Sequence, residues 1–189
     1  AGETRDLDPL YLGYAFDTAQ FSDGKWWEEE GVGRVVASLP DLASAKLRNL
    51  VSQIAPSVMR IGGTDCDAVY FCPEPGPCDM PPGYDDVFTD QENRHEGVIE
   101  HDALRQAATF ADAVDSEILF CINVGPGPRD ASGLWTPDNA RELIRFAKSL
   151  PEADRFTMWE PGNEINSALF NFHLQGSINP DTFVRTLMT

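Results

Sequence analysis

Basic charge is what this sequence has least of. Fourteen Lys and Arg stand against 31 Asp and Glu, a formal net charge of -17 over 189 residues. Nucleic acid and anionic membrane surfaces are held through clustered positive charge, so neither is expected as a partner. Long apolar runs are missing as well. No stretch approaches the roughly 20 apolar residues that a membrane-spanning helix needs. There is no Asn-x-Ser/Thr sequon, so N-glycosylation gives no guide to the compartment. No signal peptide is visible, and Ala1 is compatible with a mature N-terminus left by cleavage. Histidine is scarce: His95, His101 and His173 make no ligand set, because "HEGVIEH" lacks the i, i+4 pairing of a helical zinc site. The three are expected at the surface or in loops, and the pattern calls for neither metal nor cofactor.

Cysteine is sparse but patterned. Cys66, Cys72 and Cys78 fall in "CDAVYFCPEPGPCDMPPG". A Cys72–Cys78 disulfide would staple this Pro/Gly-rich loop and suit an oxidising compartment, with reduced thiols as the alternative. The five-residue gaps do not match paired zinc ligands. Cys121 lies in an apolar run and is expected to be a small core residue. At 42% hydrophobic the chain can bury a core of ordinary size. The acids are mostly scattered, and Glu28-Glu29-Glu30 reads as a solvated turn.

Alternating apolar strands and amphipathic helices organise the rest. Strands are expected over 10–16, 57–63, 117–125 and 155–160. Helices are expected over 39–55, 100–114 and 136–150, the last with Thr136 as N-cap and Pro137 in its first turn, and a further helix begins in 180–189. Residues 64–97 read as a long irregular insertion. Four strand–helix units imply a parallel sheet covered by helices. Such a set is either a small doubly wound domain or about the first four units of a (β/α)8 TIM barrel, whose full length is about 250 residues. The abrupt end in "FVRTLMT" favours the barrel, completed by a second chain. Polar residues follow the strand ends: Asp17, then Gly62-Gly63-Thr64-Asp65, Asn123, and Asn163-Glu164. Parallel α/β folds carry their chemistry there.

"MWEPGNEIN", residues 158–166, is the richest of these. A core strand has no use for Glu160, Asn163, Glu164 and Asn166, and a surface loop has none for Trp159. The mixture fits a strand that ends by presenting polar groups to a cleft, with Pro161-Gly162 turning the chain. A retaining glycosidase needs two carboxyl groups about 5–5.5 Å apart, projecting from different strands. Glu164 is placed to be one, and Asn163 to bond a neighbouring sugar hydroxyl. A loop Glu that caps a helix or pairs with Arg is the plainer alternative.

Several pieces in order resemble the heparanase and β-glucuronidase family of retaining glycoside hydrolases. "YLGYAFDTA" is similar to that family's first barrel strand, "APSVMRIGGTDCD" to its second with the Arg-x-Gly-Gly-Thr pattern, and "LFCINVG" to its third. "LWTPDNARELIRFAKS…FTMWEPGNEINS" is similar to its third helix, fourth strand and catalytic Asn-Glu. The resemblance covers nearly the whole chain outside 65–97. It implies the general acid/base role for Glu164, with Asn163 binding the sugar beside the scissile bond. Asp17 would touch a substrate hydroxyl. Gly63 and Thr64 would line the same cleft, Asn123 would bind substrate with them, and Arg60 would point inward to support the nucleophile's charge or serve as a structural ion pair.

The nucleophile would lie beyond the fourth strand, on a C-terminal chain or fragment that completes the barrel and also carries a β-sandwich domain, to which residues 1–9 would contribute a strand. The implied reaction cleaves β-linked glucuronic acid in uronate-containing glycans or glucuronides, in a secreted or lysosome-like setting. The acidic, proline-rich loop fits exo action or poorly sulfated glycans better than heavily sulfated chains. The alternatives are a non-catalytic glycan-binding relative, a retaining barrel glycosidase of other sugar specificity, or an interaction or redox module built on the Cys-rich loop.

Overall fold

The computed structural model describes residues 8–22, 25–29, 33–36, 38–84 and 97–165, with backbone alone for 25–29 and 33–36. His95, His173, Asn166, the expected helix over 180–189 and all but the last two of residues 1–9 lie outside them.

The protein is mixed α/β, built on a parallel four-stranded sheet. The strands among the described residues are β1 (Gly13–Asp17), β2 (Lys25–Glu29), β3 (Gly33–Val36), β4 (Ser57–Gly62), β5 (Val69–Phe71), β6 (Gly97–Ile99), β7 (Ser116–Ile122) and β8 (Phe156–Pro161). The helices are α1 (Ala45–Val51), α2 (His101–Ala113) and α3 (Asp138–Ser149). The main sheet runs β1-β4-β7-β8, with every neighbouring pair parallel. The four strands expected from sequence are therefore all present, the first three somewhat shorter than expected and the fourth shifted by one residue.

The sheet's two faces differ. Met59, Ile61, Ile118, Phe120 and Phe156 point one way and are buried against Leu104, Ala107, Ala108, Phe110, Leu143 and Ala147 of α2 and α3. Fully burying one such side chain contributes about 1.5–3 kcal/mol, so this layer supplies the main apolar stabilisation. The other face carries Ala15, Val58, Arg60, Leu119 and Met158, all partly or fully exposed.

Several expectations need correction. Residues 25–36 hold an antiparallel pair, β2 with β3, so Glu28 and Glu29 lie on a strand rather than in a turn. The helix expected from 39 starts at Ala45. Pro40 and Asp41 form a turn instead, in which Leu42 N donates to Pro40 O and Ala43 N to Asp41 Oδ1. Helix α3 takes Pro137 as N-cap without a side-chain bond. Thr136, expected to cap it, lies one residue before the cap, and its N–H donates to Pro128 O.

The insertion is not irregular from residue 64. A 3-10 turn, Thr64–Ala68, leads into β5, which pairs in parallel with β6. Asn139 of α3 extends this small sheet. It accepts from Phe71 N at 3.0 Å and donates to Phe71 O at 2.7 Å, as a neighbouring strand would. Cys72–Cys78 is a disulfide, as expected. Cys121 is not a lone core thiol, because it is bonded to Cys66. His101 is not at the surface: it is buried at the start of α2, clustered with the Phe71 and Phe146 rings, with Nε2 3.0 Å from Cys72 O.

Two disulfides suit an oxidising compartment. Among the described residues no helix is long and apolar enough to cross a membrane.

Candidate functional site at the carboxyl ends of the parallel strands

Strand register brings the polar residues together. Asp17 pairs with Gly62, and Cys121 with Glu160, one step beyond the Ile61–Phe120 pair. Alternation along each strand then places Arg60, two residues back, on the same face as this row. Its guanidinium reaches across the sheet. Nε donates to Glu160 Oε2 at 2.8 Å, and Nη2 donates both to Glu160 Oε1 at 3.1 Å and to Asn163 Oδ1 at 2.9 Å. This is the forked geometry that makes Arg–carboxylate pairs strong and directional. The Arg60 and Glu160 side chains are each 32% exposed, so the pair is partly shielded from water.

Two glycines make the arrangement possible. A Cβ at Gly62 would lie 2.7 Å from Arg60 Cζ, so the guanidinium folds over a position that has room only for hydrogen. Gly63 has φ +109°, a conformation that side chains disfavour. A Cβ there would also meet Asp17 Oδ2 at 2.6 Å. Asp17 thus lies directly over the turn that follows β4. Its other oxygen accepts from Ala19 N, and its own N–H donates to Gln20 Oε1, which caps the 3-10 turn Thr18–Phe21.

Asn163 is held at both ends. Its side-chain oxygen faces Arg60, and its backbone N donates to Asp67 Oδ2 at 2.8 Å. With Oδ1 committed to a guanidinium, the NH2 end can meet a ligand only as a donor. Gly162, at φ +74°, makes the preceding turn. A Cβ on it would come within 2.4 Å of Val124 Cγ2. Glu164 follows at φ +45°, exposed to solvent. A non-glycine residue in this region costs of order 1–3 kcal/mol and is concentrated at functional sites.

Thr64 sits half-buried at the head of the 3-10 turn. Asn123 uses its amide internally, donating to Val69 O and accepting from Gly125 N, while its carbonyl takes Trp135 Nε1–H. The structure therefore gathers Arg60, Asn163, Glu164, Asp17, Gly63 and Thr64 at one edge, and gives Asn123 the work of shaping the loop beside them.

Three features escaped the sequence reading. Glu160 is the ion-pair partner of Arg60. Asp67 is buried at 1% exposure and receives Val124 N on Oδ1 and Asn163 N on Oδ2. Burial pushes its carboxyl up to about 6, and the charge of Glu160 adds to this; the two amide donors and Arg129 act in the opposite sense. Arg129 brackets the loop after β7 through the carbonyls of Val124, Gly125 and Gly133. The usable signal for Cys66–Cys121 was its placement just past two strand ends that the parallel order makes neighbours. Among the described residues, no three His, Cys, Asp or Glu are grouped to hold a metal ion.

The chain matches no protein-family model and no curated protein sequence.

Proposed function

We propose that this chain carries the acid/base half of a retaining glycoside hydrolase that cleaves β-linked glucuronic acid in uronate-containing glycans or glucuronides. The observation that carries the reading is the Arg60–Glu160–Asn163 bridge. It orders an amide donor immediately before an exposed Glu, at the carboxyl edge of a parallel sheet. Glu164 protonates the leaving oxygen in the first step and takes a proton from water in the second, and Asn163 donates to the sugar hydroxyl beside the reacting carbon. Glu160 has both oxygens engaged by Arg60, so it serves as a partner to the cation and not as the nucleophile.

The nucleophilic carboxylate belongs to a second segment or chain that completes a (β/α)8 barrel. Two features support this architecture. The four strands add in chain order without the reversal typical of doubly wound sheets. One face of the parallel sheet also leaves Val58, Leu119 and Met158 incompletely covered, whereas parallel sheets are normally buried on both faces. The resemblance of "RIGGT" and "EPGNEIN" to the heparanase and β-glucuronidase family supplies the sugar class.

The test is hydrolysis of chromogenic glycosides by the full protein and its Glu164→Gln variant. A β-glucuronide should be the preferred substrate, and the variant should lose about 10²- to 10⁴-fold in kcat with an unchanged unfolding midpoint. Equal turnover by the variant would remove Glu164 from the mechanism, and preference for another sugar would overturn the substrate class.

A further inference from the structure

Asp67 lies outside the chemistry just described, yet it ties together three of the loops that frame the site. It belongs to the 3-10 turn after β4 and accepts backbone N–H groups from the loop after β7, at Val124, and from the turn after β8, at Asn163. The contact is close-fitting. A Cβ on Gly125 would come within 2.1 Å of the Asp67 backbone oxygen, so the two loops meet where only glycine fits. Cys66, the adjacent residue, is bonded to Cys121 at the end of β7, which anchors the same turn covalently. A side chain 1% exposed that spends each oxygen on a different loop is costly to bury unless both bonds persist.

We propose that Asp67 is a positioning residue: by holding the Asn163 backbone against the β7 loop, it sets the direction in which the Asn163 amide and the Glu164 carboxyl face the cleft. It does not touch substrate. The inference deepens the glycosidase reading and rests on it for its catalytic consequence, while the clamp itself rests on geometry alone. Asp67→Asn is the informative change. It keeps the volume but presents one oxygen and one NH2, so one of the two backbone donors must meet another donor.

Hydrogen exchange and steady-state kinetics on the full protein test this together. In the wild type, the Val124 and Asn163 amides should exchange at least 100-fold slower than unstructured amides. In Asp67→Asn, at least one of the two should exchange tenfold faster or more, with the remaining protection pattern kept. On a chromogenic β-glucuronide, kcat should fall at least tenfold while KM stays within threefold. Unprotected Val124 and Asn163 amides in the wild type would overturn the clamp without recourse to any variant. Loosened amides with unchanged kcat would overturn its catalytic role. Glu164→Gln, run in parallel, separates the two ideas. If that variant turns over normally, or if the wild type hydrolyses no glucuronide, the glycosidase reading fails, and the exchange data alone still decide the clamp.

Discussion

Replacing Asp67 by Asn should remove a titration from the folding equilibrium, and its size follows from the structure. In the unfolded chain the carboxyl ionises near 3.8; in the folded protein, burial raises this to about 6. Between these values the folded state holds a proton that the unfolded state has released, so stability is fully present below pH 3.8 and is lost as pH rises through 6. A shift of about 2 pKa units corresponds to about 3 kcal/mol. The assay is urea unfolding of wild type and Asp67→Asn at pH 4, 5, 6, 7 and 8. Carboxylates common to both proteins cancel in the difference. Because the unfolded carboxyl is itself partly protonated at pH 4, wild-type stability minus variant stability should decline by about 2 kcal/mol from pH 4 to pH 7 and then level off. A flat difference would mean that Asp67 ionises as it does in water. A difference that grows with pH would mean that its two amide donors and Arg129 outweigh burial, and the reasoning would be refuted.

Two other perturbations give sharp outcomes. Arg60→Met strips Glu160 and Asn163 Oδ1 of their shared donor; because the pair is about one-third exposed, the expected loss is about 1–3 kcal/mol, below the cost of a fully buried broken pair. Adding Glu160→Gln should recover part of it, read from urea midpoints in a double-mutant cycle, and full additivity would show that the two side chains are not coupled. Replacing Cys66 and Cys121 by Ala opens a closure of 55 residues, worth about 4 kcal/mol on loop entropy, whereas the six-residue closure of Cys72–Cys78 is worth about 2 kcal/mol. Thermal unfolding of the two double variants should rank them in that order.

The legible part of the fold was the part written in continuous apolar runs. "SVMRIG" and "SEILFCI" announce β4 and β7 because their half-covered face also carries apolar residues, Val58 and Leu119, so little polar alternation shows. Strands β5 and β6 hold three residues each and pair across 28 positions; no local period exists at that length, so they merged into an apparent loop. The β2–β3 pair opens with Lys-Trp-Trp-Glu-Glu, in which the two Trp are adjacent and no alternation stands out. At the site, the strand-end positions of Asp17, Gly63 and Glu164 were readable from punctuation by Gly and Pro. The partners of Arg60 and Asp67 were not. Glu160 lies 100 residues from Arg60, and Asn163 lies 96 from Asp67, and only the register of β4, β7 and β8 brings them into reach. Cys121 is buried as its apolar neighbours imply, but its bond escaped notice for the same reason: it is made to the turn that follows the neighbouring strand.

The bonds that shape the cleft lie at one end of the sheet. The Cys66–Cys121 bond, both Asp67 acceptors and the Arg60 fork all join segments at the strands' carboxyl ends. The opposite end leaves Tyr11, Leu12 and Leu50 exposed, and Gln53 there bonds back to its own helical turn at Asn49. That asymmetry tells an experimenter where to attach a handle. A dye, an affinity tag or a surface linkage placed at Leu50 or Gln53 sits on the far side from every cross-link that shapes the cleft, so the molecule can be immobilised with its cleft facing outward and undisturbed.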